Sequence, residues 1–394
     1  LHAVNTLISD NTTGVVDVNN GSGGGIQAAN GAQAGYSNFI NCTIANNSAL
    51  GTNSYGGGFR QTDGHYRFTN TIIWHNQAAN SPNVYGSYDH VASNIGGDGT
   101  TLNTDPLFAD MYNGDYRLSD YSPSIGTGTL DGAPTIDLDG NTRPQPVATN
   151  PDMGAYENAL GERLTGATYY VATTGSDSSN GQITNPFRTI QYAINASWPG
   201  DTVIVNPGSY TGDISYNKNI VLGSLILTTD DTSYSHTTII IGTVTINDGV
   251  DSTALFTGFT VKETTTGIIC ESDVRLRYLI IRDNTYYGIR FTSSEATLRN
   301  SKVFGNITNT MSAGAGIRIE SSSNINLVNV VIDSNHQLNV QGGGIFIQNS
   351  TVTMDSCYVT QNIAYSSGGG IYSTSSQLTI NNSYINGNLA QNDV

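Results

Sequence analysis

The sequence predicts an all-β chain built as a right-handed parallel β-helix, a β-solenoid in two segments joined by a linker, with a short capping helix near residues 186–195. The first observation behind this is a repeat. Gly342-Gly343-Gly344-Ile345 and Gly368-Gly369-Gly370-Ile371 start 26 residues apart, and Asn335, Asn362 and Asn388 follow one another at 27 and 26 residues. A fixed period in the twenties, with β-branched alternation and no helical period, marks stacked coils of short strands. The second observation is composition. Among 394 residues, 45 are Gly and only 12% are charged, a mixture too polar for an oily globule and too β-branched for disorder.

Taken in order, residues 1–158 read as a C-terminal-type half of such a solenoid. Gly23-Gly24-Gly25-Ile26 and Gly56-Gly57-Gly58-Phe59 repeat the glycine block, and Asn11, Asn47 and Asn76 mark the coils. Within this half, residues 81–158 lose the glycine triplets and gain Pro, Tyr and Asp, so they are expected to be an irregular terminator covering the last open rung. Arg143 is expected to pair with Asp152 or Glu157 there. Residues 159–168 read as a linker. Residues 169–394 then restart as an N-terminal-type capped solenoid. Phe187, Ile190, Ala193 and Ile194 fall at helical spacing, with Asn185 as the expected N-cap and Pro186 at the first helical position.

Net charge is −16, with 25 Asp and 6 Glu against 15 Lys and Arg, which argues against nucleic acid and anionic membrane surfaces. No apolar run is long enough to span a membrane as a helix. Cys42, Cys270 and Cys357 read as buried thiols rather than a disulfide framework.

The Tyr169-Tyr170-Val171 start, the Gly175-Ser176-Asp177 turn, the stretch Asn185-Pro186-Phe187-Arg188-Thr189-Ile190-Gln191 and the Gly200-Asp201-Thr202-Val203 strand resemble the N-terminal portion of parallel β-helix proteins of the pectate-lyase-like superfamily. The Gly-Gly-Gly-Ile repeats are similar to those of bacterial polymorphic outer-membrane proteins, and residues 103–157 look like the end of choice-of-anchor bacterial surface proteins. The resemblance implies an extracellular or cell-surface setting. It also implies the lyase chemistry of that fold, in which a Lys or Arg abstracts a proton beside calcium held by Asp residues.

The terminator precedes the start cap in this chain. Read 169→394→1→158, the two segments make one complete solenoid lacking a single glycine turn. Three explanations fit: one period of a tandem array, protomers stacking head to tail, or two unrelated truncated solenoids. Under head-to-tail stacking, the assembly ends are Leu1, Val4 and Leu7 at one side and Leu378, Ile380, Ile385 and Val394 at the other.

For chemistry, only Lys218, Lys262 and Lys302 are lysines, and Lys218 lies in a turn-like stretch where solvation explains it. Arg275, Arg277, Arg282 and Arg290, among Asp273 and Asp283, read as surface ion pairs. Asp333 and Asp355 do not stack as a hydrolase pair would. Calcium is the candidate cofactor, at Asp137, Asp139 and Asn141 and at Asp17 and Asn19, where oxygen ligands alternate around a Gly; a plain Asx-rich turn is the alternative. The function expected is an extracellular structural or adhesive protein assembling with itself end to end. The alternative is a polysaccharide lyase or glycan-binding module acting on acidic polysaccharide along the solenoid groove.

Overall fold

The computed structural model describes residues 1–14, 21–29, 36–97 and 102–392. The chain divides into two compact units, Leu1–Thr165 with Ser178–Asn180, and Gly166–Asp177 with Gly181–Val394. Each is a stack of coils, and every coil contributes short strands that pair in parallel with the same strands of the coils before and after.

In the second unit one coil reads Thr202–Val205, Gly208–Thr211, Ile214–Tyr216, and the next begins at Val221–Ser224. The three strands start three faces. The first face continues through Leu255–Thr257, Arg275–Arg277, the first half of Glu295–Phe304, the first half of Asn324–Asp333, Thr351–Asp355 and Gln377–Asn381. The second runs through Thr238–Ile241, Thr260–Lys262, Ile280–Arg282, the later halves of the two long strands, Tyr358–Thr360 and Tyr384–Asn386. The third runs from Val244–Ile246 to Ile371–Thr374. Side chains alternate in and out along each strand, so Leu276, Leu298, Leu327, Val352 and Met354 fill the interior at zero exposure.

Between the first and second faces the chain turns on one left-handed residue per coil: Gly258, Tyr278, Asn300, Asn329, Ser356 and Asn382, with φ between 49° and 81°. A single αL residue bends a strand without breaking its pairing. The turn after the second face is held differently. Asn284, Asn306, Asn335, Asn362 and Asn388 stack, the first four of them buried and each of these four donating its backbone N–H and its side-chain amide to the carboxamide oxygen of the next. The glycine triplets follow because neighbouring backbones crowd them. A Cβ on Gly343 would stand 2.3 Å from the Ile363 carbonyl oxygen.

The capping helix is Ile190–Ala196, shorter than expected, and its N-cap is Thr189 rather than Asn185. Phe187 instead bridges in parallel to Val171, which keeps Asn185–Arg188 extended. The Asp177 carboxylate accepts the N–H groups of Arg188 and Thr189 and the Thr189 hydroxyl, and Thr189 accepts from Tyr192 N–H. Lys218 is not a solvated turn residue. Its ammonium donates to the carbonyls of Ile194, Asn195 and Ser197, closing the helix C-terminus.

The first unit follows the same plan, with its own row Asn11, Asn47, Asn76 and Asn83, of which Asn47 and Asn76 are buried. Its coiling extends beyond residue 80: Val84–Tyr85, Asp89–Val91 and Asn94–Ile95 pair with the preceding coil. The irregular block after them does not simply close the last rung. It lies along the side of the coils, where Arg143 donates to Asn5, Asn41 donates to the Asp152 carbonyl, Gly154 N–H donates to the Asn70 carbonyl, and Asn94 donates to Ser124. Phe108, Tyr116, Leu118 and Met153 bury the outward Ala45 and Ile72. Of the two expected partners, Glu157 takes Arg143, at 2.7 Å with both side chains fully buried. All three cysteines are free and buried.

Candidate functional site

The expected calcium loop at Asp137–Asn141 is a tight hairpin turn. One Asp137 oxygen accepts Asn141 N–H, and the other accepts the Asn141 amide and Glu157 N–H, while Asp139 points to solvent. Hydrogen bonds thus account for the shape of this turn. Among the described residues no group of three or more His, Cys, Asp or Glu is placed to hold a metal ion. Asp17 and Asn19 lie outside the described residues, as does Val394.

Strand register sorts the other expected end residues. Leu378, Ile380 and Ile385 are inward residues, opposite fully buried Val352, Met354 and Val359. At the other side, Ala3 and Ile8 face inward against Phe39 and Ile44. Leu1 shares that parity, and its ammonium donates to Ser37. Val4 and Leu7 do not belong to that inward edge, because alternation turns them outward, and Leu7 packs beneath the Phe108 and Ile72 cluster.

The basic residues separate in the same way. Arg282 pairs with its neighbour Asp283, and Arg290 shares Glu320 with Arg318, so the ion-pair reading holds for these. Arg275 instead donates to the Thr253 and Ala254 carbonyls. Arg277 does not follow the expectation at all. It lies on the outward side of the first face, directly opposite Arg299 on the next coil. Among the described residues neither guanidinium has an ion pair or a side-chain hydrogen bond. Neighbouring strands are about 4.8 Å apart, and like charges directly opposite one another are destabilising.

Both arginines stand immediately before the left-handed corner. Around it, on the second face, lies an open cavity of about 430 Å³ lined by Tyr278, Ile280, Asn300, Lys302, Asn329 and His236, among others. His236 comes from the short helix Tyr234–Thr237, inserted between two coil strands and fixed by the Thr260 hydroxyl donating to the Ser235 carbonyl. Asn329 donates to Asn300 at 3.0 Å, which orders the corner amides. Lys302 is exposed and has no ion pair among the described residues. Lys302 thus lines a groove floored by Ile280 and Val331 and edged by an aromatic ring and carboxamides, and Arg277 and Arg299 each stand one residue before a residue of its lining, Tyr278 and Asn300. Such a surface suits an oxyanion on a hydroxyl-rich ligand, because the guanidinium fork matches a carboxylate or sulfate.

Sequence reasoning missed Arg299 as the residue facing Arg277, and Lys302 as part of the groove lining. A signal existed: Arg277 to Arg299, Ile280 to Lys302 and Asn284 to Asn306 are each 22 residues apart.

No known protein family matches the chain, and no curated protein does. Among solved structures, pectate lyase Pel9A is similar over 50% of this chain and 55% of its own length, at 17% identity and a TM-score of 0.40. This chain thus spans about half of that protein. The pectin methylesterase from Aspergillus niger is similar over 56% of this chain and 86% of its own, at 12% identity and a TM-score of 0.32. The PL6 family alginate lyase AlyGC gives 96% and 58%, at 13% identity and a TM-score of 0.24. The parallel coils themselves, rather than these likenesses, establish the fold. Among the described residues no helix is long and apolar enough to cross a membrane.

Proposed function

We propose that the second unit binds an anionic polysaccharide at the corner formed by Arg277, Arg299 and Lys302. The observation that carries this is the placing of Arg277 opposite Arg299 with no carboxylate bonded to either among the described residues. In a chain of net charge −16, two facing arginines and a groove-lining lysine, all without an ion pair among the described residues, are most simply explained by an anion that completes them. The open groove, the ordered amides of Asn300 and Asn329 and the Tyr278 ring favour a hydroxyl-bearing polymer over a small ion. An extracellular setting agrees with this reading. The proposal is for binding, and cleavage would need a base held against the bound sugar.

The test is affinity electrophoresis and calorimetry with polygalacturonate, using dextran as the neutral control. Polygalacturonate is expected to bind at low salt and to weaken as salt screens the cations. Arg277→Ala and Arg299→Ala should each weaken binding roughly 10- to 100-fold, as charged hydrogen bonds of about 1.5–3 kcal/mol are lost. Equal retardation by dextran, or none by polygalacturonate, sinks the proposal. Unsaturated products in the same incubation would convert binding into lyase activity.

A second reading, self-assembly, rests on Ile380 and Ile385, which point inward yet are 41% and 45% exposed. A further coil laid on them would bury that edge. If a second copy supplies the coil, sedimentation across a dilution series will show a concentration-dependent polymer. A species of constant monomer mass would remove this reading.

A further inference from the structure

The second face continues past the cationic corner, and its character changes. The outward column reads Ile280, Lys302, Val331, Tyr358, Tyr384, one residue per coil and each opposite the next. Tyr358 and Tyr384 are 51% and 52% exposed, with ring centroids 6.2 Å apart. The Tyr384 hydroxyl accepts the Asn386 amide at 2.8 Å, which fixes one edge of the ring. Three coil steps separate Lys302 from Tyr384, about 14 Å along the stack.

Charge reverses along the same line. Asp333 accepts the Thr360 and Ser334 hydroxyls, and Asp355 accepts the Asn382 amide, with no cation bonded to either among the described residues. Both carboxylates flank the tyrosine end of the face: Asp333 is opposite Thr360, and Asp355 is opposite Asn381. A uniformly charged polyanion that satisfies Arg277, Arg299 and Lys302 would carry its next charges toward Asp333 and Asp355, where like charges repel.

We infer that the ligand is a mixed polysaccharide, with an anionic residue at the arginine corner and uncharged sugars lying on Tyr358 and Tyr384. Exposed aromatic faces accept the C–H face of a neutral pyranose, and the flanking carboxylates accept its hydroxyls. This inference rests on the binding site proposed above and adds the order of residues in the ligand.

The experiment compares hyaluronan, which alternates anionic and neutral residues, with polygalacturonate and dextran, for the intact chain and for Tyr358→Ala, Tyr384→Ala and Arg299→Ala. Hyaluronan is expected to bind more tightly than polygalacturonate. Each tyrosine substitution should reduce hyaluronan affinity roughly 3- to 10-fold while leaving polygalacturonate unchanged. Arg299→Ala should weaken both. Circular dichroism and thermal melts confirm folding, and Tyr358→Phe, which keeps the ring, should retain affinity. Equal affinity for the two polymers, with no effect of either tyrosine, overturns the inference while leaving the anion site standing. An Arg299→Ala variant that still binds both overturns the site itself.

Discussion

The carboxamide oxygen of Asn362 accepts two hydrogen bonds from Asn335 on the preceding coil, one from its backbone N–H at 3.0 Å and one from its side-chain amide at 2.9 Å. Asn335 serves Asn306 in the same way, at 3.2 and 2.8 Å, and donates to the Val303 carbonyl. Each side chain thus satisfies donors that an apolar residue would leave buried and unpaired. Asn335→Ala strands two donors of Asn306 and should destabilise the second unit by about 3 kcal/mol. Chemical denaturation measures it, and a loss under about 1 kcal/mol would mean that water replaces the missing oxygen.

Gly343 gives a steric prediction. Its added Cβ would meet the carbonyl oxygens of Ile363 at 2.3 Å and Gly369 at 2.5 Å, both backbone atoms of neighbouring coils. Gly343→Ala should cost about 2 kcal/mol or more, because the coils must part to admit it. Gly249→Ala is the control, with nothing within 4 Å; its cost comes only from φ +95°. A Gly343 variant as stable as the wild type would show that the coils yield freely.

These two positions also show what was legible in the sequence. Asn335, Asn362 and the glycine triplets recur because successive coils impose the same buried turn, so their spacing exposes the fold. The candidate site is a difference between coils, and no recurrence announces it. Arg277 has acidic neighbours along the chain, yet Asp283 bonds Arg282, and Asp273 accepts the Glu295 N–H. Strand alternation and coil register decide which charges meet, and sequence adjacency does not. Lys218 was illegible for a related reason: the helix end that it closes lies more than 20 residues earlier.

Lys218→Met tests that role. Three carbonyls at the end of Ile190–Ala196 lose their ammonium donor, so the second unit should lose about 1–2 kcal/mol. Trp198, beside the same turn, reports the change by fluorescence. Polysaccharide affinity should not move, and a large loss of binding with unchanged stability would return Lys218 to the list of functional residues.

Asp152 predicts a pH dependence for the first unit. Burial, and then the charge of Glu157, push its carboxyl up to about 8, against the pull of the Asn158 and Gly126 N–H donors and of Arg143. The folded state therefore keeps this proton above the pH at which the unfolded chain, near the ordinary value of 3.8, has lost it. The contribution is fully present below that value and falls as pH rises toward about 8, by up to about 1.4 kcal/mol per pH unit. Melts followed through Trp74 in a Trp198→Phe background should show the slope. Asp152→Asn should flatten it, at a lower baseline because the new amide faces the Asn158 N–H. A slope that survives in Asp152→Asn assigns the proton elsewhere.

Arg299 sets stability against function. Facing Arg277 with no bonded carboxylate among the described residues, it raises the energy of the unliganded coil. Arg299→Gln should therefore stabilise the free protein slightly, by about 0.5 kcal/mol at low ionic strength, and less as salt screens the pair. The same change should weaken binding of an anionic polysaccharide at least tenfold, because the ligand loses one of the forks that hold its oxyanion. Denaturation and binding measured on one preparation distinguish this from a merely structural arginine, which would lower stability and affinity together. Opposite signs would mean that the two guanidiniums are kept apart from acidic partners so that an incoming anion can satisfy both.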